Sequence, residues 1–336
     1  MDSLTHVAIG ALIGEVYAGK VLGRKAMLLG AIYQSIPDID FLASFFLSPS
    51  VNLLAHRGFT HSFSFVLIAT LGLSFSGRRW HTTRGFSMTQ WMIFAGLEMG
   101  IHLILDGLNA YGVGWLEPFT HLRVAYNIIF VADPLYSIGL GIACIVLLVL
   151  HQNHYSRSIW AWSGLGLSSL YLCFCFFNKI LINHQVEREL KAQHIVYARY
   201  LTTPTAFNNL LWYCVAESDS GFYIGYRSVF DKPDKIEFQY FARNRSLLAA
   251  IEREDDVKNL LRFSKGYYTV EDSNGNLIFN DLRFGRIAGW ENPNADFTFH
   301  FYLQNPEENR LVVQRGRFAE WNYNTMHSLV KRIQGI

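Results

Sequence analysis

The sequence is poor in charged residues and lacks a basic stretch at its start. Asp, Glu, Lys and Arg together account for only 17% of the 336 residues, and the net charge is +2. So small a net charge does not favour a nucleic-acid partner, which basic surfaces recognise. The opening Met1-Asp-Ser-Leu-Thr-His6 has no basic n-region, and we therefore expect no cleaved signal peptide.

Cysteine is also scarce, and its positions argue against both a cysteine zinc site and a set of disulfide bonds. The four cysteines are Cys144, Cys173, Cys175 and Cys214. A single residue separates Cys173 from Cys175, which is too close for the Cys-x-x-Cys pattern of zinc sites. Three of the four lie in apolar runs, where a free thiol behaves as a small hydrophobic group. We predict no disulfide framework.

Apolar and aromatic residues, in contrast, are abundant. Hydrophobic residues make up 51% of the chain, with 26 Phe, 17 Tyr and 8 Trp. This balance is typical of a protein that lipid partly solvates. Because a helix needs about 20 mostly apolar residues to cross a bilayer, the pattern predicts six membrane helices. The predicted spans are approximately residues 4–19, 26–47, 59–77, 89–107, 127–150 and 159–182.

Basic residues in alternate loops predict the orientation of these spans. Loops rich in Lys and Arg stay in the cytoplasm, and here they follow the first, third and fifth predicted helices. The residues concerned are Lys20, Arg24, Lys25, Arg78, Arg79, Arg84 and Arg157. With six spans, the start of the chain and everything after residue 183 lie outside the cytoplasm. The chain is thus predicted to cross a membrane several times.

From about residue 190 the hydropathy falls and the pattern changes. Aromatic and β-branched residues now form short runs that are typical of strands. Three such runs are residues 222–229, 266–270 and 296–303. Residues 272–276, Asp-Ser-Asn-Gly-Asn, are typical of a hairpin turn, and residues 244–263 have helical periodicity. We predict an α-helical transmembrane metal-site domain over residues 1–185 and an α+β, mainly antiparallel, extracytoplasmic domain over residues 190–336.

The apolar half contains an unusual group of ionisable side chains. The candidate metal ligands are His6, Asp38, Asp40, His56, His61, His102 and Asp106. All fall at the outer ends of the predicted helices, although only Lys and Arg were used to predict the topology. His102 and Asp106 are four residues apart, so both side chains project from one helix face. Such groups are costly beside hydrocarbon unless they pair or bind a cation.

The donor types predict which metal would bind. Mixed imidazole and carboxylate ligands suit Zn²⁺, Mn²⁺ or Fe²⁺ better than Mg²⁺ or Ca²⁺. We predict one or two divalent transition-metal ions, with zinc preferred. A metal that activates water needs a base, for which Asp40 and Asp133 are candidates. Arg57 lies between two candidate ligands and is predicted to hold an anionic head group.

Each of these residues also has an ordinary structural alternative. His6 could simply begin a helix, and Asp38 with Asp40 could end one. His56 and His61 could be loop residues. Asp133 precedes Pro134 and could be a helix N-cap. The clustering on one side of the membrane favours the metal site over these alternatives taken together.

Several motifs together resemble a known family. They are Met1-Asp-Ser-Leu-Thr-His6, Pro37-Asp-Ile-Asp40, His56-Arg-Gly-Phe-Thr-His61-Ser62, and His102 with Asp106 and Asn109-Ala-Tyr-Gly112. This combination resembles the YdjM-type family of inner-membrane proteins, which are described as metal-dependent hydrolases and are in part regulated by LexA. The arrangement is also distantly similar to zinc-dependent phospholipase C. The resemblance implies metal ligation by most of the motif residues and lipid-ester or phosphoester substrates.

The leading interpretation is a membrane-bound, metal-dependent hydrolase that acts on a lipid or lipid-linked (phospho)ester at the outer face of the membrane. One alternative is a metal-ion or proton-coupled transporter, although the repeated halves typical of transporters are not found. Another is a non-enzymatic assembly or stress protein with a structural metal, which a closed set of protein ligands would favour. In the second domain, we expect Trp212 in the core and Arg283 in an ion pair.

Overall fold

A computed structural model describes most of the chain. The described residues are 1–80, 86–232, 236–251, 254–273, 275–304, 309 and 321–336. They form two compact units. The first unit comprises Met1–Phe45 and Ala55–Phe176, and the second comprises Phe46–Leu54 and Phe177–Ile336.

Helices build the first unit. They are α1 (Ser3–Leu22), α2 (Lys25–Ser35), α3 (Pro49–Ala55), α4 (Phe63–Trp80), α5 (Met88–Gly107), α6 (Pro134–Val149) and α7 (Arg157–Ala192), of which α3 and the end of α7 extend into the second unit. A 3₁₀ helix, Pro37–Phe45, follows α2, and a 3₁₀ turn, Phe59–His61, precedes α4. These two short elements contain several of the candidate ligands.

Fewer helices than predicted meet the length and hydropathy expected of a membrane span. Among the described residues, α5 and α7 qualify, and the bent pair Pro49–His61 and Phe63–Arg79 would make a third span. The predicted span 26–47 is interrupted, since α2 ends at Ser35 and Pro37 has no N–H to continue its hydrogen bonds. The span predicted from residue 127 begins only at Pro134, so α6 has 16 residues. The prediction of six spans is therefore not confirmed.

Small residues allow α1 and α2 to pack backbone against backbone. A side chain at Gly10 would collide with the main chain of Gly30, and one at Gly14 with the main chain of Ala26. Close packing of this kind is characteristic of helices in membranes. It brings His6 of α1 near Gln34 of α2, whose side-chain amide lies 3.5 Å from Nδ1 of the imidazole.

A buried ion pair closes the opposite end of the first unit. Arg157 donates from Nε and Nη2 to the two carboxylate oxygens of Glu15, at 2.7 and 2.8 Å. Its Nη1 also donates to the main-chain oxygens of Leu147 and Leu150 at 2.6 and 3.0 Å. Glu15 therefore joins α1 to the start of α7. None of these hydrogen bonds involves a candidate ligand.

The second unit contains two antiparallel sheets, as predicted. The first has the order β1-β2-β3-β4, and the second has the order β5-β6-β7. The strands are β1 (Arg199–Pro204), β2 (Leu211–Glu217), β3 (Gly221–Ser228), β4 (Gln239–Ala242), β5 (Tyr268–Ser273), β6 (Asn276–Asp281) and β7 (His300–Tyr302). The predicted hairpin is confirmed, because Ser273 pairs with Asn276. The helical periodicity over 244–263 corresponds to a 3₁₀ turn, Arg245–Leu248, and α8 (Asp255–Phe263), and the last helix is α9 (Tyr323–Ile333).

Apolar packing and one buried ion pair stabilise the second unit. Trp212 is fully buried, in a cluster with Ile182 and Val186 from the C-terminal part of α7. Arg283 is also buried and donates to Asp281 at 2.6 Å. Both expectations for this domain are thereby confirmed. All four cysteines are free, in agreement with the prediction of no disulfide framework.

Candidate metal centre

Four side chains from three segments of the first unit converge on one point. Asp38 comes from the 3₁₀ helix, His61 from the turn before α4, and His102 and Asp106 from the end of α5. Nε2 of His61 lies 3.1 Å from Nε2 of His102, 3.4 Å from Oδ1 of Asp38 and 3.3 Å from Oδ2 of Asp106. Nε2 of His102 lies 3.6 Å from each of the same two carboxylate oxygens.

The spacing of these four donor atoms matches a tetrahedral metal site. Five of the six separations are between 3.1 and 3.6 Å, and the sixth, between the two carboxylate oxygens, is within 4.8 Å. The centre of a tetrahedron with such edges is about 2.1 Å from each corner, which is the usual zinc–nitrogen and zinc–oxygen distance. His61, His102 and Asp106 are fully buried, whereas the Asp38 side chain is 21% exposed. A divalent cation would offset the repulsion between the two carboxylates.

Both imidazoles of this cluster are held by acceptors behind them. Nδ1 of His61 lies 3.0 Å from the Thr60 hydroxyl and 3.4 Å from Oδ2 of Asp40, and Nδ1 of His102 lies 2.6 Å from the main-chain oxygen of Gln34. A metal-bound histidine usually donates its other N–H to a carboxylate or carbonyl in this way. The arrangement leaves Nε2 of each ring facing the cluster.

The backbone at Arg57 helps to place Asp40. Arg57 has a left-handed conformation with φ of 56°, which is uncommon for residues other than glycine. Its N–H donates to Oδ2 of Asp40 at 2.6 Å, and Nδ1 of His56 lies 3.2 Å from Oδ1. Both oxygens of Asp40 are therefore engaged, and its position fits an orienting role for His61 better than the predicted role of a base.

The seven predicted ligands thus divide into two groups. Asp38, His61, His102 and Asp106 form the cluster, and Asp40, His56 and His6 surround it. Nε2 of His6 lies 3.1 Å from Oδ1 of Asp106, and its ring stacks on His102 at 3.8 Å between centroids. The role of each residue as a metal ligand stays a prediction.

The predicted role of Arg57 as a head-group clamp stays a prediction, and the structure gives its present contacts. Its Nε lies 2.9 Å from Oδ2 of Asp106, Nη1 donates to Asn109 at 2.8 Å and Nη2 donates to the main-chain oxygen of Met1 at 3.1 Å. The residue is buried. Two nitrogens of the guanidinium thus donate to protein acceptors, and the third lies beside Asp106, whose charge Arg57 helps to balance.

Asp133 is the N-cap of α6, which was the structural alternative to a catalytic role. Its Oδ1 accepts from the main-chain nitrogens of Leu135 and Tyr136 at 3.0 and 3.4 Å. Its Oδ2 accepts from the Tyr171 hydroxyl at 2.9 Å. The carboxylate caps α6 and braces it against α7, so the geometry gives no support to a role as catalytic base.

Two residues of this region were missed in the sequence. Gln34 lies behind His102 and His6, and Glu98 is fully buried one turn before His102 on α5. A signal for Glu98 was present, since Glu98, His102 and Asp106 are spaced by four residues and share one helix face. An ionisable residue within an apolar span is a functional candidate by default. Gln34 carried no such signal, because a single glutamine at a helix end is common.

Comparison with known proteins identifies the family. A family model described as "YdjM inner membrane protein" matches residues 1–181. The chain belongs to this family. It is similar to "Inner membrane protein YbcI" of Escherichia coli (strain K12), with 30% identity over 166 residues, which cover 47% of this chain and 89% of YbcI. It is also similar to "Uncharacterized protein YfhP" of Bacillus subtilis (strain 168), with 24% identity over 301 residues, 84% of this chain and 87% of YfhP. No solved structure matches.

The YdjM match confirms the family predicted from the motifs and supports a location in the inner membrane. It spans every residue of the four-donor cluster. The names of the two relatives state a membrane location for YbcI and assign no reaction to either protein.

Proposed function

We propose that this YdjM-family protein is a metal-dependent hydrolase of the inner membrane that acts on a lipid or lipid-linked ester or phosphoester. The observation that carries the proposal is the tetrahedral spacing of two imidazoles and two carboxylates in the first unit. Zn²⁺ fits these donors and distances best, and Mn²⁺ or Fe²⁺ would accept the same donor types.

The chemistry of the donors supports catalysis. Structural zinc sites are rich in cysteine thiolates, whereas imidazole and carboxylate sets are typical of catalytic zinc. A bound zinc ion would polarise a carbonyl or phosphoryl oxygen and lower the pKa of water to near 7. The protein's part is to hold the donors rigidly, which Asp40 and Gln34 do for the two imidazoles. Asp38 is the partly exposed donor, and so substrate would approach from its side.

Exposed apolar side chains beside the donors support a lipid substrate. Ile39 and Phe41, on either side of Asp40, are 50% and 58% exposed, and Phe59 and Phe63, on either side of His61, are 45% and 49% exposed. Exposed apolar groups in such number mark a surface that contacts lipid, ligand or protein. Acyl chains would cover these side chains while the ester lies at the donors. We further propose that this end of the helices, with the second unit, faces the outside of the cytoplasm.

One observation favours a second candidate function, a structural metal in a non-enzymatic membrane protein. All four corners of the tetrahedron are protein atoms, and a closed set of ligands is typical of structural sites. In that case the ion would fix the ends of α4 and α5, and no substrate would reach it.

An assay with purified full-length protein in detergent distinguishes these functions. Wild type is treated with chelator, reloaded with Zn²⁺, and tested on p-nitrophenyl esters, bis-p-nitrophenyl phosphate and phospholipid vesicles. A hydrolase loses activity with the chelator, regains it with Zn²⁺, and loses it again in Asp38→Ala. A structural metal instead gives a lower Tm after chelation with no hydrolysis at any zinc level. Zinc uptake into proteoliposomes without hydrolysis would overturn both in favour of a transporter.

A further inference from the structure

The second unit contains a cavity of its own. Its volume is about 850 Å³, which lies in the range of small-molecule sites. Its walls come from residues 224–232, 237–239, 286–293 and 332–336, and all of these belong to the second unit. The proposed hydrolysis uses none of these residues, so the charges and the shape of this cavity need a separate explanation.

Cationic side chains outnumber carboxylates in these walls. The charged lining residues in the described part of the chain are Arg227, Lys232, Arg286, Arg332, Asp231 and Glu237. Four cations against two carboxylates leave two positive charges in excess, and one is left if Ile336 carries a terminal carboxylate. Nη1 and Nη2 of Arg332 donate to the two carboxylate oxygens of Asp231 at 2.6 and 2.9 Å. That pair is complete, so the excess lies with the remaining cations.

Arg286 is a buried cation of this cavity without a counter-charge. Only 9% of the residue is exposed. Its Nε donates to the main-chain oxygen of Ala295 at 2.7 Å, and its Nη1 donates to the main-chain oxygen of Pro293 and, at 3.4 Å, to Oε1 of Gln239. These acceptors are neutral, and among the described residues Nη2 has no acceptor and no carboxylate pairs with the guanidinium. Burying a cation is costly unless an anion accompanies it, so the position favours an anion from outside the chain.

Two aromatic rings help to fix this guanidinium. Its Cζ lies 4.8 Å from the ring centroid of Phe241 and 5.1 Å from that of Phe297. Together with the carbonyl groups of Ala295 and Pro293, the rings hold the guanidinium before a ligand arrives. A side chain that is already ordered loses little conformational entropy on binding, and a guanidinium is well suited to the oxygens of a phosphate.

Aromatic side chains form another part of the wall. Trp290 and Phe238 line the cavity and are both partly exposed. Nε1 of Trp290 donates to the Ser328 hydroxyl at 3.1 Å, which fixes the orientation of the indole ring. Apolar walls with a few polar groups are the usual composition of a small-molecule site. An inorganic phosphate ion would leave both rings uncovered, whereas a phosphate attached to an organic group would cover them.

We propose that this cavity binds an organic phosphate, with the phosphate at Arg286 and the organic part against Trp290 and Phe238. Lys232 is exposed, forms no ion pair with a described residue, and adds positive charge for the same anion. A soluble phosphate ester and a phospholipid head group share this chemistry, and the experiment separates them. The inference does not depend on the metal centre, whose four donors all belong to the first unit.

The test uses full-length protein in detergent, titrated by calorimetry with phenylphosphonate, a mimic of an organic phosphate that a hydrolase does not cleave, and separately with inorganic phosphate. For the lipid source, the protein is placed in nanodiscs of phosphatidylglycerol or of phosphatidylcholine, and hydrogen exchange of β3 and of residues 286–290 reports occupation. Arg286→Lys, Lys232→Gln and Lys331→Gln are compared with wild type. Lys331→Gln is the matched control, because Lys331 is an exposed lysine of the same unit that does not line the cavity.

We expect phenylphosphonate to bind at least about 10-fold more tightly than inorganic phosphate, because its ring covers the aromatic wall. Arg286→Lys should weaken its binding by about 10-fold or more, as expected for a hydrogen bond to a charged group. Lys232→Gln should weaken it by about threefold, and Lys331→Gln should leave it unchanged. Slower exchange in phosphatidylglycerol than in phosphatidylcholine supports a lipid head group as the ligand, whereas binding of phenylphosphonate without that difference supports a soluble ester.

The inference is overturned if phenylphosphonate does not bind and phosphatidylglycerol does not slow exchange. It is also overturned if Lys232→Gln and Lys331→Gln weaken binding equally, since a general effect of surface charge would do so. Equal affinity for inorganic phosphate would contradict the organic part of the ligand. If Arg286→Lys does not fold, the comparison of the two lysine variants decides. Zinc content and hydrolysis are measured separately, so failure of this site and failure of the proposed function are distinguishable.

Discussion

Two buried sites, one in each unit, hold their carboxylates in different ways. In the second unit, Arg283 and Asp281 are both buried and form a direct ion pair, with the guanidinium 4.6 Å from the ring centroid of Phe263 and 5.1 Å from that of Phe284. In the first unit, the described partners of Asp38 are the imidazoles of His61 and His102. A neutral imidazole does not balance a carboxylate.

This difference separates an ion pair that is complete within the chain from a carboxylate cluster that lacks a counter-charge. The charges of Asp281 and Arg283 cancel within the chain, so the pair requires no ligand and fits a role in folding. Arg57 and the Met1 ammonium lie next to Asp106 and balance its charge, whereas Asp38 has no fixed cation among the described contacts. A divalent ion at the four donors would supply that charge, which supports the proposed metal. The Arg157–Glu15 pair of the first unit, like the pair of the second, needs no such ion.

The largest expected effect comes from removing two donors of the cluster. His102→Ala combined with Asp106→Ala leaves only Asp38 and His61, too few donors to hold a zinc ion firmly. Metal analysis of purified protein should fall from about one zinc per chain in wild type to nearly none. Asp133→Asn is the matched control, because it changes a buried carboxylate that caps α6. Zinc retained by the double variant would contradict the site.

The next largest effect is expected when the ion pair of the second unit is broken. Arg283→Met leaves Asp281 buried without its counter-charge, which should lower the free energy of unfolding by about 3–5 kcal/mol. The double variant Asp281→Leu with Arg283→Met should recover most of that loss. Hydrogen exchange of β5 and β6 in the full chain measures the change, and zinc content should stay at the wild-type level. Loss of zinc in Arg283→Met alone would show that metal binding in the first unit depends on the ion pair of the second.

The sequence was sufficient to predict which residues gather at the cluster. It did not predict which of them supply the central donor atoms and which surround those donors. The pairing of His102 with Asp106 follows from helical spacing, and Asp38 and His61 stood out as members of short polar motifs, although only tertiary packing brings these motifs together. The role of Arg57 was not predictable, because its left-handed backbone and its bonds to Asn109 and Met1 depend on tertiary packing. Hydropathy alone also does not register the interruption at Pro37, so the predicted count of six spans stays unconfirmed. The contacts of Arg57, in contrast, join segments that are distant in sequence.

A smaller effect is expected where a residue supports a donor. Asp40→Asn keeps the size of the side chain but weakens its acceptor for Nδ1 of His61, which lies 3.4 Å away. Zinc affinity should fall by about 10-fold, at the lower end for such supporting contacts. Chelator competition measures this change. His56→Gln, which alters the other partner of Asp40, should have a weaker effect, and an equal or larger loss in His56→Gln would contradict the assignment of Asp40 to His61.

The smallest expected effect is the pH dependence of stability that comes from Glu217, a carboxylate of the second unit that accepts from two arginines. Partial burial of Glu217 raises its pKa, but hydrogen bonds from Arg199 and Arg243 outweigh this and keep the pKa below its ordinary value of 4.5. A lowered pKa in the folded state stabilises the protein above the unfolded value, and this contribution is lost as pH falls below about 4.5 through the folded pKa. Because Arg199 is half exposed, the contribution should be only about 0.2–1 kcal/mol.

Hydrogen exchange of β1 and β2 between pH 6 and pH 3 measures this contribution. After correction for the intrinsic pH dependence of exchange, the protection factors of wild type should fall as the pH falls, whereas those of Glu217→Gln should begin slightly lower and lack the Glu217-dependent part of the fall. If the two profiles remain parallel over the whole range, Glu217 does not stabilise this sheet through its charge. Since the pair of arginines balances this carboxylate without any cation from outside, zinc affinity should be the same in Glu217→Gln and wild type.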